Sequence, residues 1–379
     1  MLPLVLLFLV VAPVIRGVEP TQRLVFRSAM DAPADDPDFQ QNPQRYFELY
    51  TMNSDGSDIQ RVTNNMIYEN QPDVSPDGKT IVCSIHLNAS KAQGTDPGWE
   101  IALIDMETGE ITQLTDNDYL DYGAHWNHDG SKIVYVSDSA HRTVMDVDSV
   151  LPQYDIYTMN PDGTGVTQLT HAEPGDVNAD PSFSNTVPSS ILYVHSEGLS
   201  GSFDMFRMNS DGSESTLMLA HSDQILAIND PMYSPDDSMI VFGAKIRMSE
   251  EGNPIYNIYT LNPIDGELTA ITSDDGESDV IPQYSPYGSM IAYYTYVFTD
   301  EGNTHRVRVT DLGTGEETVL SEYPWESEPS WYLADIQEAP DTGAEKSIPG
   351  YPVVAILLAV MILVIRRRMR GRAFDIILE

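Results

Sequence analysis

One short phrase, repeated along the chain, constrains the fold more than any other feature. Its clearest copy is Asp155–Thr170, which reads Asp-Ile-Tyr-Thr-Met-Asn-Pro-Asp-Gly-Thr-Gly-Val-Thr-Gln-Leu-Thr. Apolar and polar residues alternate on both sides of a turn sequence, the pattern of two half-buried strands in a hairpin. Gly163 can adopt the positive φ that a right-twisted hairpin needs, and the Asp162 carboxylate can accept a hydrogen bond from nearby backbone. The phrase therefore predicts a β-hairpin.

Three further copies of this hairpin lie at Glu48–Thr63, Asp204–Leu219 and Asn257–Thr272, and two copies with a different turn lie at Glu100–Thr115 and Arg306–Leu320. A second phrase, whose consensus is Pro, an aromatic residue, Ser-Pro-Asp-Gly and then a β-branched strand, lies between the copies. It stands at Pro72–Val82 (with Val74 in the aromatic position), His125–Tyr135 (with His128 in the position of the turn proline), Pro181–Tyr193, Pro231–Phe242 and Pro282–Tyr293. The two phrases alternate with a period of about 50 residues, which is typical of stacked units that cannot bury their faces alone. Each period predicts one blade of a β-propeller.

The two ends of the repeat region complete each other. Arg23–Phe26 resembles the strand that follows Ser-Pro-Asp-Gly, but no such turn precedes it, and Glu328–Trp331 resembles the strand before that turn, but nothing follows it. Pairing these fragments removes the open edges that a linear array of strands would expose. The sequence therefore predicts an all-β fold, a six-bladed β-propeller over residues 23–333 that is closed by its N- and C-terminal strands.

Strand direction sorts the connections into two faces. With the strands of a blade labelled a to d from the innermost outwards, the a–b and c–d turns share one face and are short. The b–c and d–a loops share the other face and are longer, at Arg27–Phe47, Ile85–Trp99, Ser137–Tyr154, Lys245–Tyr256, Asn117–Gly123 and Ser273–Asp279. Because binding residues are concentrated on variable loops carried by a rigid scaffold, we expect function on the b–c/d–a face.

Composition excludes some functions. The chain has 58 acidic and 20 basic residues and a net charge of −38, which disfavours nucleic acid as a partner. It has no Gly-x-Ser-x-Gly motif and no stretch long enough for a hydrolase domain, so a serine hydrolase is a poor interpretation. The single cysteine, Cys83, cannot form an intramolecular disulfide and lies in a predicted strand, where a buried apolar role is expected.

Residues of the long loops are the candidates for binding. Weak calcium candidates are the acidic residues Asp116, Asp118, Asp121, Asp274, Asp275 and Asp279. None has EF-hand spacing, and solvated loops are the alternative. Candidates for a partner-binding face are the aromatic residues Trp99, Tyr119, Tyr122 and Trp325, whose alternative role is to pack loops over the ring. Asn88 lies in the only N-glycosylation sequon. The sequence shows no catalytic residue and no cofactor motif other than the calcium candidates.

The segments outside the repeats predict export and anchoring. Residues 1–19 resemble a signal peptide. Residues 334–347 are a polar linker, and the apolar span 348–365, which includes Val353–Ile365, is long enough for a single transmembrane helix. The basic tail 366–379 begins with Arg366, Arg367 and Arg368 and predicts that the C-terminus lies in the cytoplasm and the propeller outside.

The paired phrases Tyr157–Gly163 and Pro231–Asp236 resemble the WD40-like PD40 repeats of the TolB propeller family. That resemblance implies a periplasmic scaffold that binds a peptidoglycan-associated lipoprotein and other envelope proteins, although the chain has no room for the family's N-terminal α/β domain. The tail beginning Ile348–Pro352 is similar to archaeal sorting signals that begin with Pro-Gly-Phe, with Tyr351 at the Phe position. A retained anchor and processing by a sortase-like enzyme both remain open.

These observations favour a monomeric, non-catalytic scaffold that binds an envelope or cell-surface protein or glycan. A propeller-type lyase or glycosidase that uses channel carboxylates is the first alternative, and it requires a pair of carboxylates with raised pKa values. A calcium-dependent adhesion module is the second.

Overall fold

The computed structural model describes residues 21–32, 46–65, 67–87, 98–140, 153–198, 200–273, 276–299, 304–321 and 326–334. Several sequence predictions lie outside these residues: the signal peptide 1–19, the linker beyond residue 334, the span 348–365, the tail 366–379, and the side chains of Asn88, Asp274, Asp275 and Trp325. Within the described ranges, no helix is both long enough and apolar enough to cross a membrane.

The described residues form six four-stranded antiparallel sheets. The first three strands, β1 (Thr21–Ser28), β2 (Glu48–Asn53) and β3 (Gln60–Arg61), belong to the blade that closes the ring. Blade 1 contains β4 (Tyr68–Val74), β5 (Thr80–His86), β6 (Trp99–Asp105) and β7 (Ile111–Gln113). Blade 2 contains β8 (Asp121–Trp126), β9 (Ile133–Ser137), β10 (Asp155–Met159) and β11 (Thr167–Gln168).

The remaining blades follow the same order. Blade 3 contains β12 (Val177–Phe183), β13 (Ser190–Ser196), β14 (Asp204–Asn209) and β15 (Thr216–Leu219). Blade 4 contains β16 (Ala227–Tyr233), β17 (Ile240–Met248), β18 (Pro254–Leu261) and β19 (Leu268–Ala270). Blade 5 contains β20 (Ser278–Tyr284), β21 (Met290–Val297), β22 (Thr304–Asp311) and β23 (Glu317–Ser321).

The sixth blade is closed by the two ends of the repeat region, as the sequence predicts. Strand β24 (Glu326–Ala334) is its innermost strand and pairs antiparallel with β1, with Leu24 opposite Trp331 and Thr21 opposite Ala334. The strands extend the predicted boundaries only slightly, to Thr21 and Ala334. This pairing confirms the six-bladed architecture and its mode of closure.

The core lies between neighbouring blades, because each sheet is covered on both faces. Leu24 and Phe26 point toward Ala292 and Val307 of blade 5, whereas Val25, between them, packs with residues of blade 1 such as Cys83. Strands buried on both faces read as continuous apolar runs, which accounts for sequences such as Leu-Val-Phe. Cys83 is fully buried, and burial raises the pKa of its thiol, in agreement with a packing role.

The turn aspartates have the structural role that the repeats predict. Asp162 Oδ1 accepts a hydrogen bond of 3.0 Å from the Thr164 N–H and one of 2.6 Å from the Thr164 hydroxyl. Asp55, Asp211 and Asp236 make the same pair of bonds to the serine two residues later. These bonds lower the pKa of each of the four carboxyls.

A second repeated set of hydrogen bonds holds the d–a loops against the ring. The first or second residue of strand c is acidic in several blades, and its carboxylate accepts a hydrogen bond from a main-chain N–H of the following d–a loop. The bonds run from Asn65 to Glu48, Asn117 to Glu100, Ala172 to Asp155 and His221 to Asp204, at 2.8, 2.8, 2.8 and 2.6 Å. These hydrogen bonds hold the beginning of each of these d–a loops in place on the b–c/d–a face.

One connection on that face differs from expectation. The predicted loop Lys245–Tyr256 is mostly strand, because β17 continues to Met248 and β18 begins at Pro254. A tight turn joins them, with the Ser249 N–H donating to the Asn253 carbonyl at 2.7 Å. The residues of this segment are largely polar, so they lack the apolar alternation by which a strand is recognised. The ends of β17 and β18 pair with each other and need no apolar face.

Candidate binding face and central channel

The innermost strands share a distortion at the same height in the ring. Each has a shift in register in its pairing with the neighbouring strand, and one residue of each adopts a positive φ. These residues are Gln71, Gly123, Asp180, Asp230, Ile281 and Glu328. A positive φ is costly for residues other than glycine, so the surrounding ring must hold these conformations. Such β-bulges redirect side chains, and here they bring the ring's polar groups into the channel.

Three of these residues are carboxylates that bridge adjacent blades. Glu328 Oε2 accepts the Gln71 N–H at 2.6 Å, and Asp180 Oδ2 accepts the Asp230 N–H at 3.1 Å. Asp230 in turn accepts a hydrogen bond from the backbone of Ile281. Asp73, two residues after Gln71, also bridges two blades, because its Oδ2 accepts a hydrogen bond from the Trp126 N–H of blade 2 at 2.8 Å. The channel carboxylates therefore join blade to blade.

Burial and mutual repulsion shape the acidity of these groups. Burial raises the pKa of Asp180. Burial, reinforced by the charges of Asp180 and Glu328, raises the pKa of Asp230 well above its ordinary value. The channel therefore holds two interacting carboxyl groups, and burial raises the pKa of both.

Arg27 supplies positive charge on the b–c/d–a side of the channel. One guanidinium nitrogen lies 3.7 Å from Glu328 Oε1 and another donates to the Tyr68 hydroxyl at 2.7 Å. The guanidinium carbon lies 4.5 Å from the ring centre of Phe47 and 4.9 Å from that of Tyr68, within the range of cation–π attraction. Arg27 is 8% exposed, so it acts as an internal counterion.

The channel is narrow at the level of the carboxylates. Residues of all six innermost strands line a cavity of about 40 Å³ there, including Gln71, His125, Asp180, Asp230 and Glu328. A water molecule needs roughly 10–15 Å³ measured in this way. The cavity can hold a few waters but not a sugar ring.

The structure brings together some of the predicted aromatic residues. Trp99 packs with Leu120 and is bordered by Tyr68, Tyr122 and Tyr154, and its ring centre lies 5.3 Å from that of Tyr68. Because Trp99 is only 8% exposed, it mainly holds the loops in place. Tyr122 is half-buried, and burial followed by the charge of Asp180 raises its pKa. Tyr119 is half-buried in the d–a loop, where its N–H donates to Asn117 Oδ1 at 2.7 Å.

The acidic candidates do not share one environment. Asp116 and Asp118 are exposed, whereas Asp121 is buried and accepts a 2.8 Å hydrogen bond from Asn117 Nδ2. Asp279 is also buried and accepts the Thr295 hydroxyl at 2.7 Å. Among the residues that the structure describes, no three His, Cys, Asp or Glu side chains are grouped to hold a metal ion. Calcium binding stays a prediction.

None of the residues that line the channel is assigned a site role from the sequence, although the sequence contains a signal for several of them. Asp180, Asp230 and Glu328 each stand directly before the proline that opens the second repeated phrase. The residue before this proline therefore marks the channel position in the repeated phrase. Arg27 had no such signal, because its partners are separated from it by long stretches of chain.

The closed ring of six sheets, with repeated Asn-x-Asp-Gly turns and turns that resemble Ser-Pro-Asp-Gly, defines a TolB-like six-bladed propeller. The chain is 27% identical over 254 residues to the Tol-Pal system protein TolB of Francisella tularensis subsp. holarctica, a match that covers 66% of this chain and 51% of that protein. The chain thus spans about half the length of the curated relatives it matches. No protein-family profile matches it.

Solved structures agree on the fold. TolB from Acinetobacter baumannii superposes with a TM-score of 0.59 at 18% identity, over 82% of this chain and 66% of that chain. A TolB-type structure from Agrobacterium tumefaciens superposes with a TM-score of 0.54 at 16% identity, over 84% and 99% of the two chains. At these identities the likeness shows the shared fold alone.

Proposed function

We propose that this chain is an exported, membrane-anchored scaffold that binds an envelope protein or another envelope ligand without catalysis. Its partner contacts the b–c/d–a face, around the channel mouth. The observation that carries this proposal is the narrow channel, whose carboxylates already accept main-chain hydrogen bonds from the next blade. A ring built in this way offers a rigid surface for recognition, and the similarity to TolB supports an envelope protein as the partner.

Electrostatics restrict the partner's chemistry. The chain carries a net charge of −38, and exposed Asp116 and Asp118 precede half-buried Tyr119 in the loop of the proposed surface. A partner with basic residues next to apolar ones is complementary to such a surface, and the attraction speeds encounter at low salt. Salt-sensitive association is the expected signature.

The anchoring belongs to the same proposal. A signal peptide at 1–19 and a transmembrane segment at 348–365 would place the propeller on the extracellular side of the membrane, with Arg366–Arg368 in the cytoplasm. The polar linker 334–347 would separate the propeller from the lipid surface. Protease treatment of intact cells tests this arrangement, because only an external propeller is digested.

The binding function is tested with a pull-down from native envelopes by purified residues 20–345. The variant Asp116→Asn/Asp118→Asn/Tyr119→Ala changes solvent-accessible positions and spares buried Asp121. A matched control, Asp55→Asn/Asp211→Asn, changes two exposed carboxylates on the opposite face. We expect one protein to be retained by the wild type and the control and lost with the loop variant. Retention by all three, or empty eluates, contradicts the proposal.

A second candidate function is carbohydrate cleavage, favoured by the raised pKa values of Asp180 and Asp230. Catalysis by this pair requires the channel to widen until a sugar ring can reach it. Assays with acidic and neutral polysaccharides, on the wild type and on Asp230→Asn, separate the two functions. Activity that is lost in Asp230→Asn would establish the enzyme.

The calcium-dependent adhesion module is tested in the same pull-down by adding EDTA. If loop ions order the face, EDTA abolishes retention and lowers the melting temperature. Retention and melting that are unchanged by EDTA contradict a calcium requirement.

A further inference from the structure

The opposite face of the ring, formed by the a–b and c–d turns, contains a larger cavity than the channel itself. This cavity, here called the funnel, has a volume of about 440 Å³ and shares His125, Ser182, Met232 and Gln283 with the lining of the narrow channel. Its size lies within the range of small-molecule sites, roughly 300–1,000 Å³. The funnel is therefore a candidate ligand site on the face that sequence reasoning left unassigned.

Aromatic side chains surround the funnel because the second repeated phrase places one at the end of the innermost strands. The residues are Trp126, Phe183, Tyr233, Tyr284, Trp331 and Tyr332. Five of them are only 5–8% exposed, so they are held by the packing between blades. Prolines from the Ser-Pro turns, Pro76, Pro235 and Pro286, also line the cavity. The walls are thus rigid, aromatic and largely preformed.

The charge near the funnel is negative. Asp73 lines it, with His125 Nδ1 at 3.5 Å from its Oδ2, and Asp180 lies in the adjoining narrow channel. The other channel carboxyls contribute less charge, because burial raises the pKa of Asp230 and Glu328 faces the Arg27 guanidinium. None of the residues that line the described funnel is Lys or Arg. Aromatic walls in a negative field are the combination that attracts a cation through both ring quadrupoles and Coulomb forces.

The hydrogen bonds that these carboxylates already accept determine which kind of cation the funnel favours. Asp73 accepts the Trp126 N–H and the Ser330 hydroxyl, at 2.8 and 3.3 Å, while Glu328 and Asp180 accept main-chain N–H groups of the next blade. The carboxylates therefore supply charge but have already committed lone pairs to the ring. A cation that has no N–H donors loses no hydrogen bonds to water when it enters such a site, whereas ammonium or guanidinium groups would lose theirs.

We propose that the funnel binds a free, small quaternary ammonium compound, with its trimethylammonium group against the aromatic walls. The site is independent of the proposed partner surface, because it lies on the opposite face of the ring. Loss of one function therefore does not imply loss of the other.

The test is a titration of the purified full chain with choline, followed by tryptophan fluorescence. Trp126 and Trp331, two of the four tryptophans, line the funnel, so its occupation changes their emission. The control ligand is 3,3-dimethyl-1-butanol, which has the shape of choline without its charge. We expect a saturable response to choline and about tenfold weaker binding of the neutral compound. No saturable response, or equal responses to both compounds, overturns the proposal.

Matched substitutions locate the site. Tyr284→Leu removes an aromatic wall but keeps apolar volume, Tyr284→Phe keeps the ring, and Tyr287→Leu changes a 51% exposed tyrosine of the same turn. Choline affinity should fall at least several-fold in Tyr284→Leu and stay unchanged in the other two. The melting temperature of each variant identifies any that fails to fold, in which case the comparison uses Tyr233→Leu. Equal choline affinity in all folded variants contradicts the assignment.

Discussion

Glu69 is a carboxylate that the ring buries next to another carboxylate. It is 0% exposed and lies at the start of strand a in blade 1, near Glu48, which is 2% exposed and starts strand c of blade 6. Asn65 links them, because its N–H donates to Glu48 at 2.8 Å and its Nδ2 to Glu69 at 2.7 Å. Arg61 lies 3.0 Å from Glu48. Burial, together with the charge of Glu48, raises the pKa of Glu69 to about 8.

Between blades 2 and 3, the corresponding pair consists of one carboxylate and one amide. Asp155 and Asn178 take the places of Glu48 and Glu69, and Asn178 Nδ2 donates to Asp155 Oδ1 at 3.1 Å. Between blades 6 and 1, by contrast, Oε2 of both Glu48 and Glu69 has no hydrogen-bond partner among the described residues. An amide can satisfy a facing carboxylate without a proton, so Glu69→Gln should mimic the blade 3 arrangement.

We expect Glu69→Gln to flatten the pH dependence of stability. The folded pKa of about 8 lies above the ordinary value of 4.5, so the native state binds more protons, and wild-type stability falls as pH rises between these values. Relative to the wild type, the variant should therefore gain on the order of 4 kcal/mol between pH ~5 and pH ~9. Urea unfolding at the two pH values measures this difference.

A control for this prediction is Glu250→Gln, which changes an exposed carboxylate in the β17–β18 turn. Its unfolding free energy should run parallel to that of the wild type at every pH. If Glu69→Gln also runs parallel, Glu69 does not titrate as its burial implies.

At the scale of the hairpin, the turn glycine has two functions. Gly163 has a φ of +78°, as the Asn-Pro-Asp-Gly sequence predicts, and a Cβ built on it would lie 3.0 Å from the Leu114 carbonyl oxygen of the preceding blade. Gly56, Gly109 and Gly212 show the same close approach, at 2.7, 2.7 and 2.8 Å. Gly266 has the same backbone conformation in blade 4, but its Cβ would meet nothing within 4 Å. The hairpin turn is therefore also a contact between blades.

We predict that Gly212→Ala destabilises the chain more than Gly266→Ala. Both substitutions strain a positive φ, at a cost of roughly 1 kcal/mol. Gly212→Ala must in addition displace the Leu169 backbone, which adds about 1–3 kcal/mol. Chemical denaturation of the two variants gives the difference. Equal losses of unfolding free energy in the two variants would show that the Leu169 backbone moves away from the added methyl group without cost.

At the scale of the whole molecule, folding of the ring depends on the pairing of β24 with β1. Without β24, the edge of β1 is unpaired and the surface of Leu24 and Phe26 that packs with Trp331 is exposed. An open, apolar edge strand favours aggregation over folding. The two ends of the propeller are close together, since Thr21 pairs with Ala334.

We expect residues 21–334 to unfold in one cooperative transition and residues 21–325 to lack it. A permuted chain, with 326–334 joined through Ser-Pro-Asp-Gly to 21–321, should recover it, because the same strand then enters as an ordinary a–b hairpin. Circular dichroism during heating compares the three chains. A cooperative transition in 21–325 would show that five complete blades suffice.

The sequence by itself determined the blades, their number and the way they close, because strand alternation and turn chemistry are local properties that repeat. Gly163 and Asp162 have the roles that their own neighbours dictate. Only the tertiary structure decided which distant residues meet. Asp180 and Asp230 form a pair in the channel, Glu69 lies beside Glu48, and Trp99 is buried under loops on the face where it was expected to meet a partner. Their burial and pKa values arise from groups on other blades, and a linear pattern contains no distance between blades.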